Sequence, residues 1–389
     1  MPLSRIVGNF QNTKRAYRLL TSNELVRQKF LYGLGTVLSH NSVLASECVN
    51  KFMHFKPPYI YPKMQTMMFN QFCGGEDLST MIPMLDELQK EQITPLLSFG
   101  VEYSTNNEEL DKSKDNMMEL IDFVQGRGDA ICKATSIISY ERLKRKQLGG
   151  LLSQNDQEDW SRDLKRLEEV TEYAVHKKVP LFFDAETIGI QSEIQNQVIR
   201  LMRGYNKGCT VPRIYSTIQF YRKDSQKQLD DLIEDSEIHS YMAGLKLVRG
   251  AYMQDEENEG NRSFLFETKE ETDDSYNMGI TKCINNMSHM GFLVATHNEN
   301  SIKHLIGEID KRDIQRNAAN IRIAQMYGMR RDITFNLSEF NVSLFIPYGP
   351  EEELFPYLVR RGLENSSALS GCYTEFWKTK KELSRRHFG

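Results

Sequence analysis

Val179-Pro180-Leu181-Phe182-Phe183-Asp184-Ala185-Glu186 is an apolar run that ends abruptly in two carboxylates. Its length suits one buried strand and falls short of a helix. Alternation sends Asp184 and Glu186 to the same side of that strand. Runs of the same kind recur along the chain, separated by longer segments of helical pattern: Thr94–Tyr103, Ile131–Ser136, Arg213–Tyr221, Gly244–Tyr252, Phe292–Asn298, Ile321–Gly328 and Ser343–Gly349. Strands that alternate with helices pair in parallel. The eight runs span 256 residues from Thr94 to Gly349, close to the roughly 250 of a closed (β/α)8 barrel. An open doubly wound sheet would call for a glycine-rich nucleotide turn after an early strand. No G-x-G-x-x-G is present, and the nearest stretch, Gly126-Arg127-Gly128-Asp129, precedes a strand instead of following one. The fold expected is an α/β protein, a (β/α)8 TIM-type barrel over 71–375, with an N-terminal helical region over 1–70 and a helical tail over 376–389.

The ends of these runs carry the chemistry. Lys133, Asp184 with Glu186, Gln219, Lys246 with Arg249, His297 with Asn298, Gln325 and Tyr348 stand on or just past seven of the eight. Barrel active sites gather at the C-terminal ends of the strands, so the expected top face is polar and ligand-binding. Lys133 is able to form a Schiff base if its pKa is depressed, or to pair with Asp184 and face an anion. Asp184 and Glu186 together allow paired acid–base work. Lys246 and Arg249 put two cations at one strand end, and Gly250-Ala251 after them leaves room for a flat ring to approach the backbone. Thr296, His297 and Asn298 add hydrogen-bonding groups on the next strand. Such a set suits a cofactor with a pyrophosphate and a polar ring edge. Only His297 is placed among the strand ends as a histidine ligand, so zinc and iron are rejected.

Near the C-terminus, Tyr357, Arg360, Arg361 and Glu364 share one helical face at i, i+3, i+4 and i+7. Two adjacent guanidiniums present planar forks to a carboxylate or phosphate. Composition narrows the rest. With 49 Lys and Arg against 53 Asp and Glu, the net charge of −4 gives no field to recruit nucleic acid. Six scattered cysteines without a C-x-x-C pair argue for a reducing compartment. No apolar run reaches the 18 or so residues of a spanning helix. Before Glu24 the chain holds Arg5, Lys14, Arg15 and Arg18 and no acid, a composition shared by mitochondrial transit segments and by short basic helices docked on a fold. The acidic runs Asp255–Glu259 and Glu267–Asp274 read as solvated loop after the fifth strand.

These residues resemble the proline dehydrogenase family, most densely in Asp184-Ala185-Glu186, Lys246–Tyr252, Ala295–Asn298, Gln325–Met329, Pro347–Pro350 and Tyr357–Asn365. The resemblance covers roughly 70–370 and implies a distorted (β/α)8 barrel that holds FAD without a Rossmann domain. It implies oxidation of L-proline to 1-pyrroline-5-carboxylate by hydride transfer to flavin N5, with a quinone as electron acceptor, in a mitochondrial protein associated peripherally with a membrane. By that resemblance Lys133, Arg360 and Arg361 clamp the substrate carboxylate, with Asp184 beside Lys133, and Tyr252, Tyr357 and Leu247 enclose the ring. Gln219, Lys246, Arg249, Gly250, Ala251, His297 and Glu364 hold the flavin. Thr296, Asn298 and Gln325 fall within or beside the same blocks and join that list, and Glu76 matches an acid that gates the site by pairing with a helix arginine. Two positions depart from the pattern. Phe345 stands where proline-oxidising members carry Tyr and a hydroxyproline-preferring branch carries Ser, so hydroxyproline stays open as substrate. Lys246 stands where bacterial members carry Arg and follows the eukaryotic branch. A Schiff-base lyase using Lys133 or Lys246, and a barrel that only binds, are the rival readings.

Overall fold

A computed structural model describes residues 10–38, 42–100, 106–150, 153–364 and 366–388, with the side chains of 42–46 and 360–370 outside the description. Eight strands follow the eight apolar runs: β1 (Ile93–Phe99), β2 (Asp129–Cys132), β3 (Leu181–Phe183), β4 (Ile214–Gln219), β5 (Ala243–Val248), β6 (Met290–Ala295), β7 (Ile321–Met326) and β8 (Val342–Tyr348). They pair in chain order and close into a barrel. The seam is a parallel ladder from Ile93↔Val342 to Phe99↔Tyr348. Each run read from sequence overshoots its strand at the C-terminal end. The ladder stops at Phe183, Val248 and Ala295, and Asp184, Arg249 and Thr296 begin the loops of the mouth.

Strand alternation divides the apolar residues into two sets. Leu96, Ile131, Phe182, Tyr215, Leu293 and Ala324 form a buried cluster of their own, with Ala295 and Phe345 packed against it. The registers Ile131↔Phe182, Phe182↔Tyr215 and Ala295↔Ala324 place them side by side within the barrel. Phe182 and Tyr215 stack at 4.1 Å. Leu97, Leu181, Phe183, Ile218, Leu245, Leu247, Val294 and Ile323 belong to the main cluster under the surrounding helices. Each fully buried Leu or Phe of either set stabilises the fold by about 1.5–3 kcal/mol.

At the floor of the barrel the interior turns ionic. Arg322 pairs with Asp129 at 2.5 Å and donates to Ser343 Oγ at 2.7 Å. Burial pushes the Asp129 carboxyl up, against the pull of Arg322. This end lies opposite the mouth and its role is packing.

The terminal helices form one unit against the barrel. Ser22–Leu38 runs along Ser366–Phe388, where a Cβ on Gly33 or Gly35 would meet Phe376 or Cys372. The tail boundary expected at 375/376 therefore falls inside a single helix, because Glu375, Lys378 and Thr379 are all buried on its inner face. The basic segment before Glu24 is docked from Phe10 onward, and Phe10, Ala16 and Tyr17 are fully buried. Arg386 donates to the carbonyls of Tyr17 at 2.8 Å and Leu20 at 2.7 Å. Of the proline cluster, Pro62 opens the helix Tyr61–Phe72 in its first turn, where no amide donor is needed.

Glu375 makes this unit pH-sensitive. Burial, then the nearby Asp332, pushes its carboxyl up to about 8. The folded state thus keeps a proton that the unfolded chain has released above the ordinary glutamate range. The stability this contributes is complete below about pH 4.5 and is lost as pH rises through about 8. The urea midpoint is expected to fall between pH 5 and pH 8.5, and Glu375→Gln to flatten that slope. A wild-type midpoint that holds or climbs over this range contradicts the assignment.

Candidate active site at the barrel mouth

Lys246 shows how the sequence builds the site. Its register partners Thr217 and Leu293 face the interior, so period two carries the ammonium into the barrel near the upper rim. There it pairs with Asp184, both side chains being largely buried. The expectation that Asp184 serves Lys133 is corrected by this contact. Asp184 is next to the second strand through its amide, which donates to the carbonyl of Cys132 at 3.0 Å, but its carboxylate is taken by Lys246. The Lys133 ammonium stands 5.0 Å from the centre of the Tyr357 ring, a cation–π placement. Phe345 lies 5.6 Å from the Lys246 ammonium. Among the described residues, Lys133, Lys246, Asp184, Tyr357 and Phe345 thus meet in the mouth.

Leu247 is also corrected. It is fully buried in the cluster under the helices, with Leu245 and Val294. Alternation that turns Lys246 inward must turn its neighbour outward. Glu186 does not form an acid–base pair with Asp184. Its oxygens accept from the amide of Thr135 at 3.0 Å and the Thr135 hydroxyl at 2.7 Å, which ties the loops after β2 and β3 together. Gln219 donates to the Glu186 carbonyl at 2.8 Å. Tyr252 is buried at the start of the helix Met253–Asn258.

Arg249 leaves the end of β5 and is held on three sides. Nε donates to Asp273 at 2.6 Å, Nη1 to Thr296 Oγ1 at 2.7 Å and Nη2 to Ser301 Oγ at 2.8 Å. A guanidinium has five donors, so two N–H remain for a ligand. Asp273 was not legible as a site residue, since the acidic run Glu267–Asp274 read as loop. It starts the helix Lys269–Asn285 through a capping box between Thr268 and Glu271. That T-x-x-E pattern is the signal that would have placed Asp273 on a helix, just past its first turn.

Several cofactor candidates turn out to be spent on the protein. Gln325 donates to the Thr296 carbonyl at 3.2 Å and accepts from Thr334 at 3.0 Å. Asn298 caps the helix Glu299–Lys311 through its side-chain oxygen. Gly250 has φ +133°, and a Cβ there would lie 2.4 Å from the Tyr221 ring. The flat ring that approaches this glycine is the protein's own. Ala251 is exposed beside it.

His297 is different. Its Nδ1 is buried and has no hydrogen-bond partner among the described residues, an unusual state for a buried polar atom. Burial, then the charge of Arg330, lowers the imidazole to about 4, so the ring is neutral at neutral pH. Arg330 and Asp332 were not singled out from the sequence, and no local motif marks them.

Glu76 accepts from the amide of Glu351 at 3.4 Å, at the start of the helix Glu351–Glu364. A carboxylate there complements the positive end of the helix. That helix carries Tyr357 inward among Phe69, Cys73, Leu354 and Leu358. The side chains of Arg360, Arg361 and Glu364 lie outside the described residues.

The family profile described as proline dehydrogenase matches residues 81–373. The chain is 30% identical over 323 residues to the carbapenem antibiotics biosynthesis protein CarD of Pectobacterium carotovorum, covering 82% of this chain and 84% of that protein. It is 26% identical over 413 residues to the probable mitochondrial proline dehydrogenase of Schizosaccharomyces pombe, covering 86% and 82%. In structure it resembles proline utilization A of Bdellovibrio bacteriovorus inactivated by N-propargylglycine, with TM-score 0.72 and 17% identity over 94% of this chain and 41% of that one. At that identity the likeness concerns the fold. With a profile match over most of its length and a closed barrel whose mouth gathers its lysines and aromatics, the chain belongs to the proline dehydrogenase family, oxidoreductases that act on proline.

Proposed function

We propose that this chain is an FAD-dependent dehydrogenase that oxidises L-proline to 1-pyrroline-5-carboxylate. The observation that carries the reading is the mouth itself, where Lys133 and Lys246 stand over the rings of Tyr357 and Phe345. The donor set suits the cofactor. Among the described residues, a buried imidazole nitrogen without a partner, two uncommitted N–H on Arg249, and Lys246 are groups that would hold FAD. When bound, FAD supplies the acceptor for the hydride leaving the ring carbon next to nitrogen.

The residues supply orientation and charge. Lys133, Arg360 and Arg361 neutralise and fix the substrate carboxylate, and Tyr357 and Tyr252 close over the ring and exclude water. Asp184 holds the Lys246 ammonium in place. No residue has to act as a strong base, and the pairings of Asp184 and Glu186 leave neither as a free acid–base couple. Phe345 beside Lys246 presents bulk without a hydroxyl, which disfavours a ring substituent that needs a hydrogen-bond partner. Hydroxyproline is therefore the second substrate to test, not the first.

The spectrum recorded without oxygen decides the reading. A flavin band that bleaches with L-proline supports it. Bleaching only with hydroxyproline moves the substrate, and a protein that stays colourless with added FAD removes the reading. A second test addresses the arginines. Arg360→Ala and Arg361→Ala are each expected to raise KM for proline about 10- to 100-fold, the worth of a charge-assisted hydrogen bond. An unchanged KM in both takes them out of the site.

We also propose a mitochondrial location, a quinone acceptor and peripheral contact with an anionic membrane. A relative named mitochondrial supports the first. No described helix is long and apolar enough to cross a membrane. Val26, Phe30, Leu34 and Val37 nevertheless expose one face of Ser22–Leu38, and Tyr373 and Trp377 are exposed on the helix packed beside it. The acids of that helix, Glu375 and Glu382, are buried, while Lys380, Lys381 and Arg385 are exposed. Apolar and aromatic side chains among outward cations suit anionic lipid. Binding to phosphatidylserine vesicles that Phe30→Asp abolishes is the expected result; equal binding to neutral vesicles refutes it.

A further inference from the structure

The turn after β7 carries more charge than a barrel loop requires. Arg330 is in the left-handed region, φ 43°, a conformation that strains a non-glycine residue. Its Nε and Nη2 donate to the two oxygens of Asp332 at 3.0 and 2.9 Å. Its Nη1 donates to the main-chain carbonyl of His297 at 2.9 Å. Asp332 is fully buried and also pairs with Lys378 of the helix Ser366–Phe388. On the same helix, Glu375 lies 3.7 Å from Arg330 and accepts from the Tyr17 hydroxyl at 3.1 Å. A continuous ionic chain thus runs from the last helix, outside the barrel, to the main chain at His297 in its mouth.

Stability is a weak reason for such a chain, since buried ion pairs rarely outdo apolar packing of the same volume. We propose that Lys378, Asp332 and Arg330 are positioning residues for the site. Lys378 locks Asp332, Asp332 locks Arg330, and Arg330 holds the His297 main chain so that the imidazole presents its unpartnered nitrogen to the flavin. This rests on the FAD reading above. The charged groups around His297 are Arg330 and Asp332 after β7, Arg249 after β5, and Glu299 at the start of the adjoining helix. Burial and the two arginines keep the ring neutral, so one nitrogen is a donor and the other an acceptor.

The test is a double-mutant cycle read as the rate at which FAD leaves the holoenzyme on dilution, followed by flavin fluorescence. Lys378→Met should speed release about tenfold in the native background and less than about twofold in a His297→Ala background, where the chain has nothing left to position. Lys378→Arg, which keeps the charge on Asp332, should restore release to within about twofold of the native rate. The same acceleration in both backgrounds, or none in the native one, overturns the proposal. Should Lys378→Met not fold, Asp332→Asn takes its place with the same two readings. A protein that takes up no FAD fails the flavin reading instead. In that case the 15N shifts of the His297 imidazole decide: displaced by Lys378→Met they support the network, unmoved they refute it.

Discussion

Asp184→Ala is expected to lower kcat/KM for proline by two to three orders of magnitude while the barrel stays folded. Asp184 is the carboxylate paired with Lys246, and both are largely withdrawn from water. Removing one partner of a buried pair leaves the other as an uncompensated charge, and losing one correctly placed electrostatic group from a site costs about 100- to 1000-fold in rate. Lys246 is then free to turn away from the mouth, which removes a cation from the place where the flavin is proposed to sit. The loss should therefore show in bound FAD as well as in turnover. Asp184→Asn should fall in between, since the amide keeps the volume and one acceptor. Steady-state kinetics on protein of known flavin content measure this, with the thermal midpoint as control. Activity within about threefold of the native enzyme would remove Asp184 from the mechanism, because an effect below 1 kcal/mol or so is not that of a buried ion partner.

The second large effect is on stability, at the other end of the barrel. Arg322→Met should cost about 3–5 kcal/mol, because Asp129 loses its ion partner within the closed sheet. The penalty has a sign in pH. Burial already pushes the Asp129 carboxyl up, and losing Arg322 pushes it further. The folded state then holds a proton that the unfolded chain releases near the ordinary aspartate range, and stability falls as pH rises from there. The variant should lose least in acid and most at neutral pH. Adding Asp129→Leu should recover most of the loss, since an apolar pair of similar volume has no charge to bury. Urea unfolding at two pH values checks all three statements. A single variant that loses less than about 1 kcal/mol at neutral pH would mean that water or another group solvates Asp129.

Both predictions turn on contacts between residues far apart in sequence, and there the reading from sequence stopped. The eight runs, their order and their parallel pairing were legible, because a short apolar stretch between amphipathic helices has few other fates. Their C-terminal ends were not. Val179–Glu186 reads as one run, yet the ladder ends at Phe183. Nothing local marks that point, and it is the neighbouring strand that stops offering partners. The outward turn of Leu247 was legible and was missed, since placing Lys246 in the barrel settles it by alternation. Asp273 carried a usable cue in the Thr268–Glu271 capping box. Arg330 and Asp332 carried none, as their partners Lys378, Glu375 and His297 come from other parts of the chain.

The amino-acid order alone thus determines the strand count, the barrel class and the polar character of the mouth, because alternation and helical period are local properties of the chain. It does not determine that Asp184 serves Lys246 two strands on instead of Lys133 on the neighbouring strand, that the Arg249 guanidinium is framed by Asp273, Thr296 and Ser301, or that His297 keeps a nitrogen unpaired among the described residues. Those follow from closure, which sets the distance between strand ends and brings some charges within a hydrogen bond of one another. A charge-assisted hydrogen bond forms only at about 3 Å, so the choice of partner belongs to the folded geometry and has no signature along the chain.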